Sequence, residues 1–334
     1  AGNRALIKMS EFTPSTATLF AELAARYFAP EELAVIGGDH ELAQRFSELP
    51  FDHLLFTGST SVGRHVMRAA AENLTPVTLE LGGKSPAIIA PDYPMAKAAA
   101  RIMAGKCLNA GQTCIAPDYV FLPAGQENDF IAAARAVVAA SYPDLAQNPD
   151  YSAVVNTRHA SRLRSYLADA AAKGAQIIPL AEVPGKDGGP QRLAPTLVVQ
   201  PDDSMLIMQD EIFGPLLPIM TYQRIEDALI YINAHERPLA LYLFDHDKIR
   251  IEQILDNTVA GGVTINDTIL HIAQDNLPFG GIGASGMGHY HGHEGFLTFS
   301  KLKPVFYQSR INGMGLFNPP YGALFERLLK VLLR

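Results

Sequence analysis

A glutamate and a cysteine stand in two short glycine-containing strings that could together carry out covalent chemistry. Glu80 lies in LELGGKSP (79–86), and Cys114 lies in NAGQTCIAP (109–117). A thiol attacks a carbonyl carbon as the thiolate, so it needs a lowered pKa or a nearby base. A carboxylate at the end of an apolar strand, once desolvated, has a raised pKa and accepts a proton near neutral pH. The two residues therefore predict a nucleophile and its general base.

Each residue also has a purely structural interpretation. Most free cysteines are buried and inert, and Cys107, on the face of an Ala-rich predicted helix, keeps that interpretation. Cys114 follows a Gly-Gln-Thr turn whose amides can face the thiol, but taken alone it also fits a buried core cysteine. Taken alone, Glu80 fits a salt-bridged carboxylate at a strand end. Only the presence of both residues in one chain favours a catalytic role over a structural one.

Two further strings indicate a binding site. The loop FTGSTSVG (56–63) follows a predicted strand and opens a helix, so its amides and the positive helix end can face a phosphate. Its spacing is G-x-x-x-x-G, without a G-x-G-x-x-G pattern or a Walker lysine, so it also fits an ordinary turn. The string EIFGP (211–215) lies much later in the chain. Four such signals in one chain favour a functional site over coincidence.

An alternation of strands and helices must position these strings. Residues 1–82 follow a βαβαβ pattern, which predicts a parallel sheet. A second α/β pattern runs from Ser85 to about residue 265. The segment 296–308 has the pattern of a late strand, and PGKDGGP (184–190) has the chemistry of a surface turn.

Length, charge and cysteine content limit the class of protein. A chain of 334 residues is long enough for two domains. A net charge of −7 offers no basic surface for nucleic acid, so small molecules are the expected partners. Two cysteines and no signal-type N-terminus predict a cytoplasmic protein. Residues 323–334 predict an amphipathic helix that packs on protein, and membrane association is not expected.

The motifs, in their order from IKMSE (7–11) to FSKLKP (299–304), resemble the aldehyde dehydrogenase superfamily. FDHLLFTGST and LPFGGIGASGMGHYHG are most similar to its class 3 branch, which includes bacterial coniferyl-aldehyde dehydrogenases. The resemblance implies an α/β fold, with a Rossmann-type parallel sheet and a second α/β catalytic domain. It assigns residues 1–82 to the C-terminal part of an NAD-binding domain and 83–282 to the catalytic domain. Residues 283–334 become a return strand and a C-terminal tail for contact within a homodimer.

The resemblance also assigns residues to an NAD cofactor. Lys8 and Glu11 correspond to the pair that brackets the adenine ribose, while Glu211 and Phe213 correspond to the nicotinamide clamp. The other expected cofactor residues belong to the glycine loop and the strand beside it: Gly58, Ser59, Val62, Gly63 and Leu81. An acid at position 11 favours the ribose hydroxyls of NAD, although NADP is also possible.

The activity that the resemblance implies is aldehyde oxidation. Cys114 attacks the aldehyde to give a thiohemiacetal, and hydride leaves for NAD. Glu80 then activates the water that hydrolyses the thioester to a carboxylic acid. The expected substrates are aromatic aldehydes such as coniferaldehyde, or medium and long aliphatic aldehydes.

A histidine cluster suggests a metal site that the resemblance does not support. In HYHGHE (289–294) alternate histidines would share one face of an extended strand. They are His289, His291 and His293. The adjacent PFGGIGASGMG is similar to a family motif that has no metal, so no metal is expected.

One family feature is missing from the sequence. The family carries an asparagine that donates to the oxyanion, in a Pro-Trp-Asn string before the strand with Lys8, and this sequence contains no Trp. We therefore expect the sequence to be the C-terminal portion of a longer enzyme. Two other functions stay open: a cofactor-independent thiol hydrolase, against which the glycine loop counts, and a non-catalytic binding or inactive fragment.

Overall fold

The computed structural model describes residues 2–182 and 191–333, so the turn predicted at 184–190 lies outside the described residues. The strands are β1 (Ala5–Lys8), β2 (Leu33–Ile36), β3 (Leu54–Gly58), β4 (Val77–Leu81), β5 (Pro86–Ile89), β6 (Tyr119–Pro123), β7 (Gln176–Pro179), β8 (Thr196–Val199), β9 (Leu216–Tyr222), β10 (Ala240–Phe244), β11 (Gly262–Ile265) and β12 (Gly286–Met287). The helices are α1 (Pro14–Tyr27), α2 (His40–Ser47), α3 (Thr60–Ala71), α4 (Met95–Cys107), α5 (Glu127–Ser141), α6 (Thr157–Ala172), α7 (Leu206–Gln209), α8 (Ile225–Ala234), α9 (Lys248–Asp256), α10 (Gly292–Thr298) and α11 (Ala323–Leu332).

The first 82 residues form the predicted alternation of strands and helices, but in two small sheets. β1 pairs in parallel with β2, and β3 pairs in parallel with β4. The late strand β12 adds to β4 in the antiparallel direction. β2 and β3 therefore belong to different sheets, although the sequence pattern predicted one parallel sheet. Apolar alternation identifies a strand and its buried face, whereas the neighbour of a strand is set by long-range packing.

A seven-stranded sheet forms the larger part of the structure. Its order is β11-β10-β5-β6-β9-β8-β7, and all pairs are parallel except β7 with β8. The strands β5 (PAII) and β10 (ALYLF) are apolar and buried along their whole length. Such continuous burial is typical of a parallel sheet that is covered on both faces. Helices α4 and α5 contribute to one core, and α6, α8 and α9 contribute to the other.

The two predicted catalytic residues lie close to the segment that joins the sheet of β4 to the seven-stranded sheet. β4, which carries Glu80, ends at Leu81, and β5 begins at Pro86. Cys114 lies just before β6, which is paired with β5. The carboxyl end of β4 is thus joined by a short segment to the amino edge of the large sheet. This connection brings the two residues together.

The prediction of a strand at 296–308 is wrong. Residues 292–298 form helix α10, and residues 301–309 have no regular structure. The side chains of Phe306 and Tyr307 are exposed. An apolar run becomes a strand only when its amides find a partner strand, and no described strand pairs with this segment.

Two compact units divide the chain. The first extends to Phe299, and the second begins at Ser300. The second unit contains the predicted C-terminal helix, here α11, so that prediction is confirmed. Among the described residues, none of the helices combines the length and the apolar character required to cross a bilayer. The domain boundaries at 82 and 282 stay a prediction.

Candidate active site

Cys114 is positioned by the segment that joins α4 to β6. A short 3-10 turn, Leu108–Gly111, follows α4 and reverses the chain through left-handed backbone conformations. The side chain of Gln112 then anchors the segment. Its Nε2 donates to the carbonyl oxygen of Ala153 at 3.0 Å, and its Oε1 accepts from the amide of Val155 at 2.8 Å. The thiol therefore extends from a main chain that is fixed on both sides.

Glu80 faces this thiol from the end of β4. Glu80 is 5% exposed, and β4 lies between β3 and β12 at this position. The Sγ of Cys114 donates to Oε1 of Glu80 at 3.7 Å. The other oxygen, Oε2, is buried and has no partner among the described residues. A buried carboxylate oxygen with free lone pairs can accept a proton from water or from the thiol.

The electrostatics of the pair favour a base beside a protonated thiol. Burial raises the pKa of Glu80 to about 7. Burial, with the negative charges of Glu80 and Glu211, raises the pKa of Cys114 to about 12. A thiol nucleophile needs either a lowered pKa or a nearby base. This site provides the base.

The half-buried Glu211 lies against the double glycine that follows Glu80. A Cβ at Gly82 would overlap the carboxylate of Glu211, so the glycine leaves room for the carboxylate in this position. The carboxylate accepts a hydrogen bond from the amide of Gly83. Burial, together with the charge of Asp118, raises the pKa of Glu211 to about 8. The glycines of LELGG therefore bring a second carboxylate toward the thiol.

Phe213 lies in a strained turn that contacts the turn preceding Cys114. Its φ is +46°, in the left-handed region that a phenylalanine rarely adopts. In the same turn, the carbonyl oxygen of Gly214 would lie 2.3 Å from a Cβ at Gly111. The EIFGP turn and the turn that precedes Cys114 are therefore in direct contact.

The glycine loop opens α3 as the sequence predicted. Ser59 caps the helix, because its Oγ accepts from the amide of Val62 at 3.4 Å. Gly63 lets the helix approach β4, since a Cβ there would lie 2.6 Å from Cδ2 of Leu81. The side chain of Leu81 is 3% exposed and belongs to the core, so only its main chain is available to a ligand. Val62 is exposed.

Lys8, the last residue of β1, forms an ion pair with Glu11. Lys8 Nζ lies 3.2 Å from Oε2 of Glu11. A backbone hydrogen bond lowers the pKa of Glu11, burial opposes this effect, and the Lys8 ammonium lowers the pKa further. Glu11 is therefore ionised at neutral pH. The two residues occupy one location, as the resemblance implied.

The histidines of HYHGHE make different contacts. Nε2 of His289 lies 3.6 Å from Oε2 of Glu294. The ring of His291 instead stacks on Phe279, with 5.5 Å between the ring centroids. Between these histidines, Tyr290 contacts Phe279 edge to face. Burial raises the pKa of Tyr290 to about 12, and the charges of Glu80 and Cys114 add to this effect.

Several charged residues near the site were missed in the sequence analysis. Lys84 pairs with the buried Asp118, and Lys106 is 1% exposed. Burial lowers the pKa of Lys106 to about 8, although Asp118 opposes the effect. A charge inside a buried apolar string was the available signal, because lysine and aspartate are rarely buried unless they are paired. Arg162 lies on helix α6, whose polar sequence is typical of an exposed helix, so it gave no such signal.

Comparison with known proteins gives the same family. The sequence profile described as "Aldehyde dehydrogenase family" matches residues 1–305. The chain is 56% identical over 329 residues to a "Probable coniferyl aldehyde dehydrogenase" of Pseudomonas aeruginosa, covering 98% of this chain and 68% of that protein.

Two solved structures have a similar fold. The substrate-bound state of Staphylococcus aureus AldH has a TM-score of 0.90 and 40% identity, covering 100% of this chain and 71% of that one. A Mycobacterium tuberculosis aldehyde dehydrogenase complexed with NAD+ has a TM-score of 0.81 and 33% identity, covering 92% and 64%. The expected α/β fold and the resemblance to the class 3 branch are confirmed, and the chain belongs to the aldehyde dehydrogenase family.

Proposed function

We propose that the protein oxidises an aldehyde to its carboxylic acid with NAD, through covalent catalysis by Cys114 and base catalysis by Glu80. The observation that carries the proposal is the 3.7 Å contact between Sγ of Cys114 and Oε1 of Glu80. The thiol and the carboxylate lie in an aldehyde dehydrogenase fold, in which a glycine loop opens a helix beside them.

Cys114 begins the reaction. Its Sγ forms a bond to the aldehyde carbon while the thiol proton passes to Oε1 of Glu80. The thiol has the higher pKa, so this transfer is uphill in the free protein and must accompany C–S bond formation. The amide of Cys114 points toward its own side chain, where it can donate to the oxyanion of the thiohemiacetal.

The glycine loop and the helix that it opens would hold the pyrophosphate of NAD. Gly58 lets the loop pass close to the ring of Phe56, because a Cβ at this position would lie 2.6 Å from that ring. The positive end of this helix suits a pyrophosphate. Lys8 and Glu11 would hold the adenine ribose, and Glu211 and Phe213 the opposite end. NAD, when bound, supplies the acceptor for the hydride that leaves the thiohemiacetal carbon.

Glu80 completes the reaction after a thioester has formed. Glu80 first releases the thiol proton to solvent, which its pKa of about 7 allows. Its carboxylate then removes a proton from water, and the hydroxide adds to the thioester carbon. The C–S bond then breaks, the Cys114 thiolate regains a proton, and the carboxylic acid leaves. The buried Oε2, which has no partner among the described residues, is the available acceptor for that water.

The substrate that we propose is an aromatic aldehyde such as coniferaldehyde. The Pseudomonas aeruginosa relative is named for coniferyl aldehyde. Phe279, Tyr290 and His291 form an aromatic cluster. The charges of Glu80 and Cys114 act on Tyr290, which supports its position near the reacting carbon. Phe279 itself is buried, so aromatic rings of a substrate would pack on the exposed parts of Tyr290 and His291.

Assembly and location also belong to the proposal. We infer a homodimer from the resemblance to the class 3 branch. A cytoplasmic location is supported by the two cysteines, both of which are free thiols in the structure.

The proposal is tested with the protein expressed from its complete gene. Absorbance at 340 nm should rise with coniferaldehyde only when NAD is present. Hydrolysis of p-nitrophenyl acetate is measured beside it. Ester hydrolysis without any NADH formation would instead support the thiol hydrolase, and the absence of both activities would support a binding protein.

The charge of Glu11 predicts the preference for NAD. Because its lowered pKa keeps this carboxylate ionised, it can accept from ribose hydroxyls but repels a 2′-phosphate. We expect a higher kcat/KM with NAD than with NADP, and a ratio reduced about tenfold, equivalent to 1.4 kcal/mol, in Glu11→Gln. Glu31→Gln, a surface change outside the site, is the control. An unchanged ratio in Glu11→Gln contradicts the assignment.

A further inference from the structure

We propose that Arg162 is a positioning residue that fixes the Glu211–Phe213 turn for hydride transfer and is dispensable for the thiol chemistry of Cys114. The inference rests on the proposed function. Arg162 extends from α6, which is outside every motif that indicated the site. Two of its hydrogen bonds are with the main chain of this turn.

The guanidinium of Arg162 spans two successive carbonyl groups. Nη1 donates to the carbonyl oxygen of Glu211 at 3.1 Å, and Nη2 donates to that of Ile212 at 2.8 Å. A planar fork with fixed donors can hold two acceptors in one orientation, which a lysine ammonium does less well. The orientation of the Glu211 and Ile212 peptides is therefore tied to α6.

Tyr166, one helical turn later, completes the contact. Its hydroxyl accepts from Nη1 of Arg162 at 2.9 Å and donates to Oδ2 of Asp210 at 2.9 Å. The guanidinium carbon lies 5.1 Å from the centre of the tyrosine ring. Because Tyr166 is buried, this arrangement limits the directions that the arginine can take.

The other side of the turn is held by a buried ion pair. The amide of Ile212 donates to Oδ2 of Asp118 at 2.9 Å. Lys84, the partner of Asp118, donates to the carbonyl oxygen of Asp210 at 3.1 Å. The main chain just before Phe213 is therefore bonded from two directions. Such over-determined contacts allow a left-handed phenylalanine to persist.

The positive charge of Arg162 also affects the ionisation of Glu211. Burial raises the pKa of this carboxylate, and both Lys84 and Arg162 oppose the rise. Arg162 thus favours the ionised form that can accept from ribose hydroxyls. The thiol and Glu80 make no hydrogen bond to Arg162 in the described residues, so their contact does not depend on it.

The test compares two activities of the same active site. In Arg162→Met we expect kcat for NADH formation to fall about 10- to 100-fold, because a displacement of about 1 Å costs rates of this order. Hydrolysis of p-nitrophenyl acetate without NAD should stay within about twofold of wild type. Arg162→Lys restores the charge without the fork, so it should recover only part of kcat. The control is Arg158→Met, an exposed arginine on the same helix, which should change neither activity.

Amide hydrogen exchange provides a readout that requires no cofactor. The amide of Ile212 is hydrogen-bonded to Asp118, and we expect its peptide to exchange at least tenfold faster in Arg162→Met than in Arg158→Met. Unchanged exchange, or an equal loss of both activities, would overturn the positioning role. If wild-type protein forms no NADH, the proposed function fails, and the exchange experiment still decides the role of Arg162.

Discussion

We expect Cys114→Ala to lose both NADH formation and ester hydrolysis, each by about 10⁴-fold or more, because removal of a covalent nucleophile removes the reaction path itself. The fold should persist. Cys114 is only partly buried, and the neighbouring turns are held by main-chain contacts and by Gln112. Steady-state rates and melting temperature, measured on the same preparation, separate lost chemistry from lost structure.

Cys107 provides the matched control. Burial raises its pKa to about 12, as for Cys114, so acidity does not distinguish the two thiols. What distinguishes them is the base at 3.7 Å and the greater exposure of Cys114. Cys107→Ala should keep its activity and lose about 1 kcal/mol of stability through the cavity it leaves.

Mass spectrometry after limiting alkylation tests the same assignment without substitution. We expect the label on Cys114, with a parallel loss of activity. Label on Cys107 accompanied by inactivation would reject Cys114 as the nucleophile.

Glu80→Gln should keep a rapid first turnover of NADH but lose steady-state turnover by about 10²-fold, the scale of a positioned base. Glutamine retains the shape of the side chain in its buried position on β4, and loss of the Glu80 charge lowers the pKa of Cys114. The thiol can then lose its proton to solvent, so attack by Cys114 can still occur. Hydrolysis of the thioester then becomes slow, because no carboxylate deprotonates the water. Stopped-flow absorbance at 340 nm measures both phases. Intact steady-state turnover would remove Glu80 from deacylation.

The pH dependence gives a second outcome for the same variant. The pKa of Glu80 is raised to about 7, and the base must be deprotonated, so wild-type kcat should rise as pH increases through about 7 and level off above it. This limb should disappear in Glu80→Gln. Glu72→Gln, an exposed carboxylate at the end of α3, should keep the limb.

The pKa of the Cys114 thiol should also change in Glu80→Gln. Since the Glu80 charge raises the pKa of Cys114, its removal should lower that pKa. Alkylation of Cys114 by iodoacetamide, followed against pH in both proteins, detects the shift. A thiol pKa that does not fall would show that the two groups are not electrostatically coupled.

Much of the site was visible in the sequence because its residues lie in local strings. The alternation up to residue 82 predicted the strands and helices there, since side-chain periodicity reports the buried face of each element. The patterns predicted Glu80 at the end of a strand and Cys114 after a helix and a turn, and both residues lie there. The glycines that follow Glu80 were also visible in the sequence, although their purpose was not.

The sequence alone determined which residues could do chemistry and, up to residue 82, which segments form helices or strands. Tertiary structure decided what lies beside them. It placed Glu211 against Gly82, brought Arg162 to the EIFGP turn, and left 301–309 without a partner strand. It also divided the first strands between two sheets. The physical reason is that periodicity is a property of neighbours in the chain, whereas pairing, burial of charge and pKa depend on groups far apart in it.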